Sequence, residues 1–211
     1  MKQLALVAII FVSISYAQAD LTFYTNRTTW ETAIGEATTN ENFDAVSPYL
    51  LSAGINSAGL ISVELIGLAG QSIWNAIDAG SGTQSVNGSR FFQGGSNRNN
   101  TAGTLSGADF IDLHLPYAVT AFGGDFCSTH SGDGLTLSVN GQTYEFTDLL
   151  PTGAGSGFLG FISTDSFSTV RLFDAEKRET FGLDNISFAA PEPATLVLLA
   201  FGGLTALRKR S

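Results

Sequence analysis

The stretch from Leu135 to Phe146 reads LTLSVNGQTYEF, and it limits the fold more than any other part of the chain. Leu135, Leu137 and Val139 recur with a period of two, which puts them on one face of a strand. Asn140-Gly141 follows, and Tyr144 and Phe146 then resume the alternation. Both central residues of a type I′ turn need positive φ, which Asn and Gly tolerate best, so the segment predicts a two-residue β-hairpin. A chain that spells out such a hairpin is built for sheets.

The rest of the central region carries the same pattern. Residues 20 to 190 are rich in Gly, Ser, Thr, Asn and Phe and poor in Lys, Met and Glu, so turn formers outnumber helix formers. Further strands are predicted at Leu21–Tyr24, Thr38–Phe43, Leu60–Leu68, near Arg90–Gln93, and at Phe110–Leu115 and Ala118–Cys127. Gly157–Thr164, Thr169–Asp174 and Thr180–Ala189 complete the set. Residues 44–59 and 76–104 read as loose, and Gly123-Gly124 predicts a bulge. One helix is expected, capped by Asn26, with Trp30 and Ile34 on one face and its end at Gly35. About ten strands and one short helix predict an all-β fold, a single jelly-roll-like β-sandwich.

Residues 20–190 hold 6 basic and 18 acidic residues, a net charge of −12. Such a field repels nucleic acid and anionic lipid and favours solubility or divalent cations. Cys127 is the only cysteine, so no internal disulfide forms; it reads as a small buried apolar residue.

The two ends have a different character. Lys2, the apolar run Leu4–Ile14 and the small-x-small triplet Ala17-Gln18-Ala19 predict a signal peptide over 1–19, cut by signal peptidase before Asp20. Past the body come Pro191-Glu192-Pro193, an uncharged apolar stretch from Ala194 to Leu207, and Arg208-Lys209-Arg210 before Ser211. The prolines fix φ and remove donors, so the triplet should be extended and unpaired. The basic residues hold the end of a transmembrane helix over 194–207 on the cytoplasmic side. Fourteen residues at about 1.5 Å each fall short of the roughly 30 Å hydrocarbon core, and Gly202-Gly203 soften them further. A marginal span suits a temporary handle better than a lasting anchor.

This tail resembles the PEP-CTERM sorting signal of Gram-negative and related bacteria, over about a tenth of the chain. The resemblance implies recognition by exosortase, an integral-membrane transpeptidase, and export to the cell envelope or beyond, in systems that accompany exopolysaccharide production. The body is similar, less specifically, to many PEP-CTERM surface proteins with jelly-roll-like bodies. The matching elements are the early helix, Glu41-Asn42-Phe43-Asp44, Ala121-Phe122-Gly123-Gly124-Asp125-Phe126, Phe158-Leu159-Gly160-Phe161 and Phe181-Gly182-Leu183-Asp184-Asn185-Ile186-Ser187-Phe188. The organisation expected is therefore signal peptide 1–19, β-sandwich 20–189 and sorting signal 190–211.

The body offers little catalytic chemistry. Gly155-Ser156-Gly157-Phe158-Leu159-Gly160 matches a dinucleotide fingerprint in form, but Phe161-Ile162-Ser163-Thr164 continues as strand, not helix. Ser128, His130 and Asp133 stand without a nucleophile elbow, and His114 and His130 alone do not make a zinc site. Asp184-Asn185 leaves two readings open. The pair makes hydrogen bonds at a strand bulge, or it joins Glu41 and Asp44 as oxygen ligands of a structural calcium, the one cofactor considered. Trp74, Tyr117, Tyr144, Phe91 and Phe92 are aromatics that could stack on sugar rings. Adjacent residues on a strand face opposite ways, so one of Phe91 and Phe92 is expected to be exposed or in a loop contact. No catalytic residue is expected. The chain reads as a non-enzymatic surface or matrix protein; the alternatives are a carbohydrate-binding module and, less favoured, a secreted hydrolase.

Overall fold

Alternating apolar residues become strands wherever one face can be buried, and in the computed structural model twelve strands and one helix form among the described residues. Those residues are 20–66, 75–78, 89–95, 110–127, 135–145, 149–150, 156–174 and 180–190. The strands are β1 Leu21–Tyr24, β2 Thr39–Glu41, β3 Tyr49–Leu50, β4 Gly54–Ala58, β5 Ile61–Ile66, β6 Ala76–Asp78, β7 Phe91–Gly95, β8 Phe110–Cys127, β9 Leu135–Val139, β10 Gln142–Glu145, β11 Ser156–Asp174 and β12 Thr180–Ala189. The fold is all-β with one short helix, as the sequence predicts.

Helix α1 spans Arg27–Ile34. Asn26 caps it: its Oδ1 accepts the Thr29 N–H at 2.9 Å, satisfying one of the orphan donors of the first turn. Gly35 ends it in the left-handed region at φ 71°, its N–H reaching the Glu31 carbonyl at 3.2 Å. Trp30 is the helix's buried residue.

Two long strands organise the sheet. Leu113 and Val170 pair where β8 first meets β11, and Phe122 and Phe161 pair where the strands meet a second time. The first stretch carries β5 and β4 on one flank and β9 and β10 on the other. The second carries β1 on one flank and β12 on the other, with β7, β6, β3 and β2 beyond β12. Between the stretches the register slips twice. Residues 163–166 of β11 and 115–118 of β8 leave the regular ladder, which resumes at Val119↔Phe167 and His114↔Thr169. Both halves send their inward residues into one cluster, among them Val63, Leu113, Leu137 and Val170 from the first and Phe122, Phe161, Leu183 and Phe188 from the second. The second half also packs Ala121, Phe158 and Ala189 against Trp30 in a smaller cluster.

Asn140-Gly141 forms the expected turn. Asn140 has φ 52° and Gly141 φ 80°, and Val139 pairs with Gln142. Other expectations need correction. Gly123-Gly124 is not the bulge. Asp184↔Asp125 and Ser187↔Gly123 enclose Asn185-Ile186 opposite Gly124 alone, so the extra residue lies on β12. The ring of Phe158 explains Gly123 instead, because a Cβ there would lie 2.6 Å from its Cζ. The expected 110–115 and 118–127 strands are one, as are 157–164 and 169–174. Strands β3, β4 and β6 occupy regions read as loose. Strand β4 was hidden by its polar composition. Asn56 serves there as a local tie, accepting the Ser52 N–H at 2.9 Å and donating to the Ser52 and Gly54 carbonyls at 2.8 and 2.9 Å. Phe91 and Phe92 are both buried, so neither is exposed; Phe92 belongs to the main cluster and Phe91 does not.

Candidate functional site

The outward faces of the two halves carry the polar chemistry of the body. On the first half, Glu64 of β5, Asp112 of β8 and Arg171 of β11 stand in one cross-strand row; Ser62, His114 and Thr169 stand in the next. Cross-strand neighbours lie close enough to pair. The Arg171 guanidinium grips Asp112 with Nε on Oδ1 and Nη2 on Oδ2, each at 2.7 Å. Asp112 is buried, so this fork satisfies a carboxylate that water does not reach. The same contact raises the Arg171 pKa still further, with burial opposing it. His114 Nε2 lies 2.9 Å from Glu64 Oε2, and its Nδ1 lies 3.3 Å from Thr169 Oγ1. Arg171 also stacks 4.4 Å above the Phe110 ring, and Phe110 meets Phe173 edge-on at 5.6 Å.

Glu64, Asp112 and His114 bring one ligand atom each within 4.8 Å of one another. That is metal-like spacing, yet Asp112 already gives both oxygens to Arg171. The sequence carries a sign of this row. Asp112 and His114 occupy the polar positions between Ile111, Leu113 and Leu115, and Arg171 lies between Val170 and Leu172.

On the second half a polar network forms at the β12 bulge. Asn185 takes φ 48°, a left-handed conformation that Asn tolerates better than most residues. Its Nδ2 donates to Asp125 Oδ2 at 2.9 Å. Arg27 reaches in from α1: its Nη2 lies 3.1 Å from Asp125 Oδ1 and donates to the Asn185 carbonyl at 2.9 Å, and its Nη1 donates to Ser187 Oγ at 2.7 Å. Ser187 Oγ in turn donates to Asn40 Oδ1 at 2.6 Å. The guanidinium carbon stands 4.5 Å above the Phe158 ring, while Trp30 donates its Nε1–H to the Phe161 carbonyl at 3.2 Å. Helix and bulge are thus tied by one arginine.

The segments considered for calcium do meet, Glu41 standing opposite Ile186 beside Asn185, but their carboxyl groups are engaged with different partners. Glu41 is buried and turned inward to backbone donors, Phe43 N–H at 2.6 Å and Leu60 N–H at 2.5 Å. It holds Phe43 at φ 56°, and a Cβ on Gly59 would overlap its carboxylate. Asp184 is fully buried beside the bulge, accepting Asn185 N–H at 2.7 Å and Ser89 Oγ–H at 3.0 Å. Burial pushes its pKa up to about 6, against the two hydrogen bonds, and the charges of Asp44 and Asp125 add to the rise. Asp44 lies near enough to be felt electrostatically, while Arg90 donates its backbone N–H to Asp44 Oδ1 at 3.4 Å. Asp184 and Asn185 therefore make the hydrogen bonds at a strand bulge that one of the two readings expected.

Of the aromatics considered for sugar stacking, Tyr117 is exposed, and Tyr144 is half-buried with an edge against Phe23 at 5.3 Å. Phe91 and Phe92 are buried. Cys127 is buried, as expected. Trp74, Ser128, His130 and Asp133 lie outside the described residues. So do Ala17, Ala19, Pro191, Glu192, Pro193, Arg208, Lys209, Arg210 and the whole 194–207 stretch. Among the described residues no helix is long and apolar enough to cross a membrane. No family model matches this chain, and no curated protein matches it.

Proposed function

We propose that this chain is an exported bacterial surface or matrix protein, sorted by exosortase, whose body is a single β-sandwich of jelly-roll type with a structural or adhesive role beside exopolysaccharide. The observation that carries the reading is the order Pro191-Glu192-Pro193, uncharged 194–207, Arg208-Lys209-Arg210. An extended grip, a short removable span and a basic stop are the parts a membrane-embedded transpeptidase needs. The sandwich is supported by two sheet halves that share β8 and β11 and pack their inward faces into one cluster. The division of the chain is supported by β1 starting at Leu21 and β12 ending at Ala189, next to the two targeting segments. Two carboxylates, Asp112 and Asp125, are held by Arg171 and Arg27, which suits a structural role for them better than acid–base catalysis.

One observation favours carbohydrate binding as a second reading. The outward face sets the partly exposed Glu64 and His114 near the partly exposed rings of Phe110 and Phe173, polar groups beside aromatic edges.

The sorting reading is tested by Glu192→Ala in exosortase-positive cells. The substitution removes the only charge of the triplet and leaves the apolar stretch intact. The variant should accumulate with its tail in the cytoplasmic membrane, as the unaltered protein should in cells lacking exosortase. Normal maturation of the variant, or maturation without exosortase, would overturn the proposal.

A further inference from the structure

The register of the second half places both ends of the body together. Thr22 pairs with Ile162, Ile162 with Ala121, and Ala121 with Ala189, so the start of β1 and the end of β12 share one row of the sheet. Asp20 already belongs to that row's margin. Its N–H donates to Thr164 Oγ1 at 3.1 Å, and its carbonyl accepts the Thr164 N–H at 3.2 Å. The two segments that leave the ladder, 115–118 and 163–166, lie beside that row, where β8 and β11 pass from one half of the sheet to the other. Pro116, Tyr117 and Ala118 of the first and Thr164, Asp165 and Ser166 of the second are exposed there. Tyr117 stands against the exit of β12, its ring edge-on to Phe188 at 5.7 Å and its hydroxyl 2.8 Å from Thr39 Oγ1.

The chain available between this end and the bilayer is short. Residues 190–193 separate the last residue of β12 from the apolar stretch. Even fully extended, four residues reach only about 13 Å, and the headgroup region takes up several ångströms of that. A body so closely tethered has little choice of which surface it turns to the membrane.

Resting on the reading of 194–207 as an inserted span and of the body as a sandwich whose halves fold back at the register break, we propose that the end of the body carrying Asp20, Tyr117, Asp165 and Ala190 lies on the membrane surface until the tail is removed. Tyr117, with an aromatic body and a polar tip, suits the headgroup level. The opposite end, where Ser156 pairs with Cys127 and Cys127 with Gly182, stands away from the bilayer. Ser156 and Ile162 are six residue steps apart along β11, about 20 Å of strand.

The test uses the full chain reconstituted in phosphatidylcholine vesicles carrying a spin-labelled headgroup. Native Cys127 is buried, so a fluorophore can be attached at one introduced cysteine in Asp165→Cys, Tyr117→Cys or Ser156→Cys. Flotation is measured first. The label at 165 and at 117 should be quenched several-fold more than the label at 156. A flexible insert of about ten glycines and serines between Ala190 and Pro191 should erase the difference. Failure of the chain to float with the vesicles would overturn the inserted-span reading and the stance with it. Flotation with equal quenching at all three positions, or stronger quenching at 156, would overturn the stance alone.

Discussion

The two halves of the sheet treat their outward faces in opposite ways. On the first half, Glu64, Asp112, His114 and Arg171 form a ladder in perfect register, and no helix packs over it among the described residues. On the second, the register breaks at Asn185-Ile186, and α1 packs on the face, with Trp30 fully buried and Arg27 fastened to the bulge. Regular pairing produces a row of polar side chains that satisfy one another. A bulge turns backbone groups out of the ladder, and another element must then supply their partners. The covered face should therefore matter more to stability than the bare one.

The largest effect should follow Trp30→Ala. It empties a site against Phe158 and leaves the Phe161 carbonyl without its indole donor. A loss of about 3–5 kcal/mol in denaturant unfolding is expected. A loss below about 1 kcal/mol would mean that the helix merely rests on the sheet.

Asp184 sharpens the comparison from the other direction. Its folded pKa, about 6, lies above the ordinary 3.8. The folded state therefore binds this proton more tightly than the unfolded chain. Its contribution favours the fold at acid pH, declines as pH rises from about 4 to 6, and is fully lost above that. Asp184→Asn removes the buried charge. It should stabilise the protein by about 2 kcal/mol at pH 8 and flatten the decline between pH 4 and 6. Chemical unfolding across that range checks it; an unchanged slope would show that Asp184 is not the group responsible.

The bare face should respond less. Arg171→Ala leaves Asp112 buried without its fork, but the arginine is partly exposed and water can take its place. About 1–2 kcal/mol is expected, clearly below the Trp30 effect in the same assay. An equal or larger loss would reverse the ranking of the two faces.

The smallest effect expected is in the hairpin. Gly141→Val puts a β-branched residue at φ 80° and should cost about 1 kcal/mol or more in thermal unfolding. An unchanged melting temperature would reject the strain assigned to that turn.

These residues also show what could be read before the fold was known. The Asn26 cap, Trp30, the Gly35 stop and the Asn140-Gly141 turn depend on contacts within a few positions, and local chemistry specifies them. Strands β1 and β12 were legible to the residue, for period-two patterning decides them. The bulge was assigned to the wrong strand because two adjacent glycines signal a bulge and close packing equally well. Only the three-dimensional position of Phe158 separates the two. The first and last segments do meet, Glu41 opposite Ile186, but which way the Glu41 carboxylate turns depends on Leu60, nineteen positions away. The Glu64–Asp112–Arg171 row needs β5, β8 and β11 in register, which no local pattern encodes. Phe91 and Phe92 are both buried because both faces of β7 are covered, which alternation alone does not signal.

The central claim, that the body is delivered by a removable tail, is tested most directly by the intact mass of the mature protein from its native host. The expected product begins at Asp20 and lacks the Leu196–Ser211 segment, with any added mass carried near Pro191-Glu192-Pro193. A mature protein that retains Leu196–Ser211 would contradict it and leave a plain C-terminal anchor in its place.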